Sequence, residues 1–90
     1  MPASSELAIL VRLPESVALH ARPAGAFVRV AAAATSEIRV EANGRGANAK
    51  SILEVLALGA TGGTELEISA SGADAVEAHE RLAELVAGLT

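Results

Sequence analysis

The sequence predicts an α+β fold: a two-layer, open-faced β-sandwich in which a four-stranded, mainly antiparallel sheet is covered on one face by three helices. Three observations predict it. Three short segments alternate apolar and polar residues with period two and a hairpin turn adds a fourth strand, while helical spacing of apolar residues or a capping box marks three helices. The two kinds follow one another as β-α-β-β-α-β-α, with no internal repeat and no linker. Charges on alternate positions of several strands leave the sheet one wet face, so the helices gather on the other.

Leu7, Ile9, Val11 and Leu13 alternate with Ala8, Leu10 and Arg12. This is a strand pattern whose outer face is apolar enough to suggest an inner strand, and Pro14 ends it. From Ala21 to about Ala34, the residues Ala24, Phe27, Val28, Ala31 and Ala34 fall at helical spacing. Glu37 to Glu41 alternates charge with β-branched side chains. Asn43-Gly44 then favours a two-residue hairpin turn, because both positions tolerate positive φ. A return strand from Arg45 to Ala49 follows. Ser51-Ile52-Leu53-Glu54 has the form of a capping box, in which serine and glutamate satisfy each other's orphan amides, and opens a short helix closed by Gly59 or Gly62-Gly63. Thr64 to Ala70 alternates again, with Leu66, Ile68 and Ala70 on one face. After Gly72, Asp74 is placed to cap a last helix with the stripe Ala75, Ala78, Leu82, Leu85 and Leu89. His79 falls beside that stripe and reads as a partly exposed helix residue.

Ninety residues without a composition break fit one domain, 1–90. Half of the residues are hydrophobic, yet Phe27 is the single aromatic, so the core is aliphatic and alanine-rich. The formal charge of -4, with no Lys/Arg cluster and no aromatic platform, excludes nucleic acid as a partner. Without cysteine there is neither a disulfide framework nor a thiolate metal site, and no metal or cofactor is expected. Met1 to Glu6 lacks a signal-peptide pattern, and no apolar run reaches the ~20 residues of a bilayer span. A cytoplasmic protein without direct membrane insertion is the expectation.

The chemistry points to Leu19-His20-Ala21-Arg22-Pro23-Ala24. With His20 as N-cap, Ala21, Arg22 and Pro23 form the first helical turn, where proline lacks only an N–H that would have had no partner. The free amides of Ala21 and Arg22 face the ring, and the helix dipole favours an anion there by ~0.3 to 2 kcal/mol. Arg22 adds a forked, permanent charge suited to phosphoryl oxygens. These are the needs of a histidine that accepts a phosphoryl group and passes it on. A plain helix cap with a solvated arginine, or a simple anion-binding module, shares part of the pattern.

The same hexapeptide resembles the active-site signature of the HPr family, the histidine-containing phosphocarriers of the bacterial phosphoenolpyruvate-dependent sugar phosphotransferase system. Asn48 to Leu53, running on to Leu58-Gly59, resembles that family's second signature, around a regulatory serine. Together with the element order, the resemblance covers nearly the whole chain. It implies that His20 is phosphorylated on Nδ1 by phospho-enzyme I and hands the group to enzyme IIA domains of sugar permeases. It implies a relay protein without turnover of its own, with Arg22 steadying the phosphoryl group. A paralogous carrier in a nitrogen-related or regulatory chain is the alternative. The implied docking face includes Ala21, Gly25, Ala26 and Arg29 from the first helix and Ile52, Leu53 and Leu56 from the second. A monomer is expected.

Ser51 matches the serine that a dedicated kinase phosphorylates in some members of the family, although its capping box is reason enough for it to be there. A phosphate on Ser51 would meet the Glu54 carboxylate within one turn. Glu54 stands where the family usually has glycine or a basic residue, and Ala32 where lysine is common. Both changes make the docking face less positive, so docking is expected to lean on apolar contact. Ala18 replaces a frequent glycine two residues before the histidine, which puts the path of that loop in question.

Overall fold

A computed structural model describes residues 6–90. The run Met1 to Ser5, most of the stretch read above for a signal peptide, lies outside the described residues. Seven elements follow in the expected order: β1 (Glu6–Arg12), α1 (Ala21–Ala32), β2 (Glu37–Ala42), β3 (Arg45–Asn48), α2 (Ile52–Ala57), β4 (Glu65–Ser71) and α3 (Ala75–Ala87). The strands form one antiparallel sheet in the order β1-β4-β2-β3.

The order corrects one expectation. β1 is an edge strand, and the inner pair is β4 with β2. Leu10 is 62% exposed on the wet face, where it stands across from Glu67. The apolar outer face of β1 is therefore uncovered, because β4 occupies the centre and takes a partner on either side. Asn43 and Gly44 both have positive φ, 56° and 77°, so the hairpin between β2 and β3 turns as its dipeptide predicts.

The core lies between the sheet and the helices. Leu66, Ile68 and Val40 from the sheet meet Phe27 and Ala31 of α1, Val55 of α2 and Leu82 of α3, all fully buried. Alanines at Ala24, Ala31, Ala47 and Ala78 keep the layers close. Phe27 is the largest buried side chain. Truncation of such a residue to alanine typically costs about 3 to 5 kcal/mol.

α3 departs from its predicted stripe. Its buried residues are Ala75, Ala78, His79, Leu82 and Val86, with Leu85 and Leu89 only partly buried. His79 is thus a core residue, 5% exposed, where a partly exposed one was expected. Positions 75, 79, 82 and 86 share one helical face, and the sheet covers that face. Nε2 of His79 has no hydrogen-bond partner among the described residues. Burial lowers the pKa of the ring, opposed by a backbone hydrogen bond with Ile68.

Asp74 holds the N-cap position of α3, but its side chain does not cap the helix. It accepts hydrogen bonds from the N–H groups of Thr35 and Ser36, each at 2.9 Å, and from the Ser36 hydroxyl. Three donors outcompete one orphan helix amide. They hold the carboxylate far below its ordinary pKa, the Ser36 hydroxyl contributing most. Gly72 (φ 147°) lets the chain pass Ser36, because a Cβ there would lie 2.6 Å from the serine oxygen.

The box at α2 is also half of what was expected. Ser51 Oγ accepts the Glu54 N–H at 3.3 Å. The Glu54 carboxylate does not return to Ser51, whose own N–H already donates to the Asn48 carbonyl. It accepts the Asn48 N–H at 2.8 Å, tying α2 to the end of β3.

Candidate functional site

α1 begins at Ala21 with His20 as its N-cap, in extended conformation (φ -84°, ψ -167°). The helix starts here for identifiable reasons. The His20 carbonyl accepts the Ala24 N–H at 2.8 Å, Pro23 sits inside the first turn, and Ala24 and Phe27 anchor the inner face in the core. Upstream, Val17 and Leu19 are buried, and the Leu19 N–H donates to the Ala60 carbonyl at 2.9 Å. The chain is thus nailed down on both sides of His20 while His20 itself is exposed.

The His20 side chain makes no capping hydrogen bond. The first-turn amides that follow it lack intrahelical acceptors by the geometry of any helix start. Ala21 and Arg22 are exposed as well. His20, Ala21 and Arg22 are thus three consecutive exposed residues at the start of α1.

The residues named for docking lie on α1 and α2, two helices in contact with each other. Gly25 and Ala26 are half-buried and Arg29, in the last turn of α1, is exposed. On α2, Ile52, Leu53 and Leu56 are all exposed, Leu53 most of all at 77%, while Val55 alone of that helix faces the core. Leu53 is not an isolated case. Three large apolar side chains on six residues of helix form a patch of the kind that marks a partner site.

Ser51 is half-buried at the start of α2. Its oxygen is engaged by the Glu54 amide. Lys50, which sequence reading passed over, turns back to donate to the Ala34 carbonyl at 2.8 Å, and so ties the turn before α2 to the loop after α1. Ala18 lies outside the positive-φ region, so the loop needs no glycine at that point. Among the described residues no cluster of three or more His, Cys, Asp or Glu side chains is arranged to hold a metal ion. No helix among them is long and apolar enough to cross a membrane.

A family model described as "PTS HPr component phosphorylation site" matches residues 9–88. The chain belongs to the HPr family. It is 45% identical to the phosphocarrier protein HPr of Haemophilus influenzae over 76 residues, which cover 84% of this chain and 89% of that protein. The crystal structure of a phosphocarrier protein HPr from Bacillus anthracis superposes with a TM-score of 0.86 at 35% identity, covering 92% of this chain and 99% of the other. An HPr dimer from Thermoanaerobacter tengcongensis matches with a TM-score of 0.72 at 38% identity, over 86% and 88% of the two chains. The HPr fold thus extends through both signatures, and its members are phosphocarriers of the phosphotransferase system.

Proposed function

We propose that this chain carries a phosphoryl group on His20, accepting it from phospho-enzyme I and delivering it to enzyme IIA domains that serve sugar uptake. The observation that carries the reading is the free, exposed His20 ring at the mouth of α1, in a chain that belongs to the HPr family.

In the accepting step a ring nitrogen, Nδ1 by the family resemblance, uses its lone pair to form a bond to phosphorus. The bond between phosphorus and the donor breaks, and the donor keeps that electron pair. The first-turn amides of Ala21 and Arg22 and the Arg22 guanidinium face the charge on the phosphoryl oxygens. Delivery reverses the roles. The site must hold its cargo weakly, because stabilising the bound group more than the transition state would slow its departure. An open patch, rather than an enclosed pocket, meets that requirement. The protein is then a relay with no turnover of its own, working as a monomer in the cytoplasm, a single domain over 1–90.

Docking uses Ala21, Gly25, Ala26 and Arg29 of α1 with Ile52, Leu53 and Leu56 of α2. Regulation at Ser51 by a serine kinase would have to work against local charge, since a phosphate there would stand within one turn of the Glu54 carboxylate that holds Asn48.

The test is incubation with phosphoenolpyruvate, Mg²⁺ and enzyme I, followed by mapping of acid-labile phosphate. Wild type takes label and His20→Ala takes none. Equal labelling of the two, or an unlabelled wild type with several enzymes I, refutes the proposal.

A further inference from the structure

The segment that leads into His20 is seated on the turn between α2 and β4. The Leu13 N–H donates to the Thr64 carbonyl at 2.9 Å, the Gly63 N–H to the Leu13 carbonyl at 3.0 Å, and the Leu19 N–H to the Ala60 carbonyl at 2.9 Å. The Arg12 guanidinium adds a bond to the Gly63 carbonyl at 2.8 Å. Within the segment the Val17 N–H closes a turn onto the Pro14 carbonyl, and the side chains of Val17 and Leu19 are buried.

Gly62 lies at the centre of this contact. A Cβ at position 62 would stand 1.9 Å from the Glu15 carbonyl oxygen and 2.6 Å from its carbon. Both are backbone atoms, so no rotamer change relieves the overlap. The Glu15 peptide would have to retreat by about 1 Å or more to restore contact distance. Gly44 and Gly59 differ in kind: a Cβ on either meets nothing within 4 Å, and their positive φ is what calls for glycine. Gly62 is not among the positive-φ residues. It is a glycine for space alone.

We propose that Gly62 is a positioning residue for phosphoryl transfer, an inference that rests on the reading of His20 given above. By carrying no side chain it lets the segment from Leu13 to Leu19 seat on the 60–64 turn, and the seat sets where His20 stands relative to the first-turn amides and Arg22. The displacement forced by a side chain has few outlets. Leu13 is pinned at one end, Val17 in the middle and Leu19 at the other, so a retreat of Glu15 strains the Leu19–Ala60 bond, one residue from His20.

Gly62→Ala tests this beside Val86→Ala, which removes core volume from α3, far along the chain from the seat. Both are assayed well below their unfolding midpoints for the initial rate of labelling by phospho-enzyme I. Their backbone amide spectra are recorded in parallel. Gly62→Ala is expected to label more slowly by on the order of 10- to 100-fold, with shifts at Leu19, His20 and Ala21. Val86→Ala, although less stable, labels at close to the wild-type rate. Labelling of Gly62→Ala at the wild-type rate overturns the proposal while leaving His20 as the carrier. A wild type that takes no label overturns both. Should Gly62→Ala not fold, Val17→Ala loosens the same seat without a clash, and its labelling at the wild-type rate likewise overturns the proposal.

Discussion

Two helices of this protein start on residues whose side chains leave the helix uncapped, and they do so for opposite reasons. At α3 the Asp74 carboxylate is fully engaged, bound by two backbone amides and the Ser36 hydroxyl, and it bolts α3 to the loop between α1 and β2. At α1 the His20 ring has no capping bond and stands in solvent, although the backbone on either side of it is fixed. One start is saturated and serves the fold. The other is left open to solvent between fixed backbone segments, which is what the proposed uptake and release of a charged group would require. A polar side chain at a helix N-cap is thus no guide to its use until its partners are counted.

Exchanging the two residues' fates is the strongest way to break the contrast. His20→Ala is expected to abolish labelling while moving stability by no more than about 0.5 kcal/mol, the range of exposed sites without partners. Asp74→Ala is expected to do the reverse, retaining label on His20 but losing amide-exchange protection at Thr35 and Ser36. Labelling and denaturation measured on both variants decide the matter, and an unlabelled but stable Asp74→Ala would erase the distinction.

A smaller effect sharpens the open site itself. Arg22→Ala is expected still to accept phosphate but to pass it on more slowly, by on the order of 10-fold if a charge-assisted contact is lost. Forward transfer at the wild-type rate would remove Arg22 from the mechanism.

Burial of His79 supplies the pH dependence. Its folded pKa lies below the ordinary 6.5, so between the two values the unfolded chain binds more protons than the folded one. Stability is therefore complete above about pH 6.5 and declines as the pH falls from there toward the folded pKa. Asp74 acts only at far lower pH, since its carboxylate stays ionised well below its ordinary value. Thermal melts between pH 7.5 and pH 5 check this, because His79→Leu removes the mildly acidic part of the dependence. An identical pH profile in wild type and His79→Leu would show that some other group controls it. At α2, Ser51→Ala removes the bond from the Glu54 N–H to Ser51 Oγ and is expected to cost about 1 kcal/mol in a denaturant melt.

Much of this was legible along the chain. The alternation of Glu37 to Glu41, the Asn43-Gly44 turn and the spacing of Ala24, Phe27 and Ala31 are local signals, and the structure follows them. The His20 and Ser51 motifs were likewise local, each marking a helix start. What was misread depended on partners remote in sequence. Asp74 has a helix amide as its nearest donor in the chain, yet its actual donors lie 38 and 39 positions away. The capping-box spacing pairs Glu54 with Ser51, whose amide is taken by the Asn48 carbonyl. Spacing alone puts His79 beside the apolar stripe rather than within it, because the width of a buried helical face depends on what packs against it.

The sequence by itself determined the order of elements, the hairpin, and the histidine, arginine and proline at the mouth of a helix, because propensity, periodicity and turn chemistry act over a few residues. Only the tertiary structure decided that β1 lies at the edge, that Asp74 is spent on a distant loop, and that the approach to His20 rests on a glycine with room for nothing else. Those outcomes follow from competition for hydrogen-bond donors and for space between segments far apart in the chain, and such competition has no local signature. The free ring of His20 belongs to both: its motif names it, and the packing around it leaves it exposed.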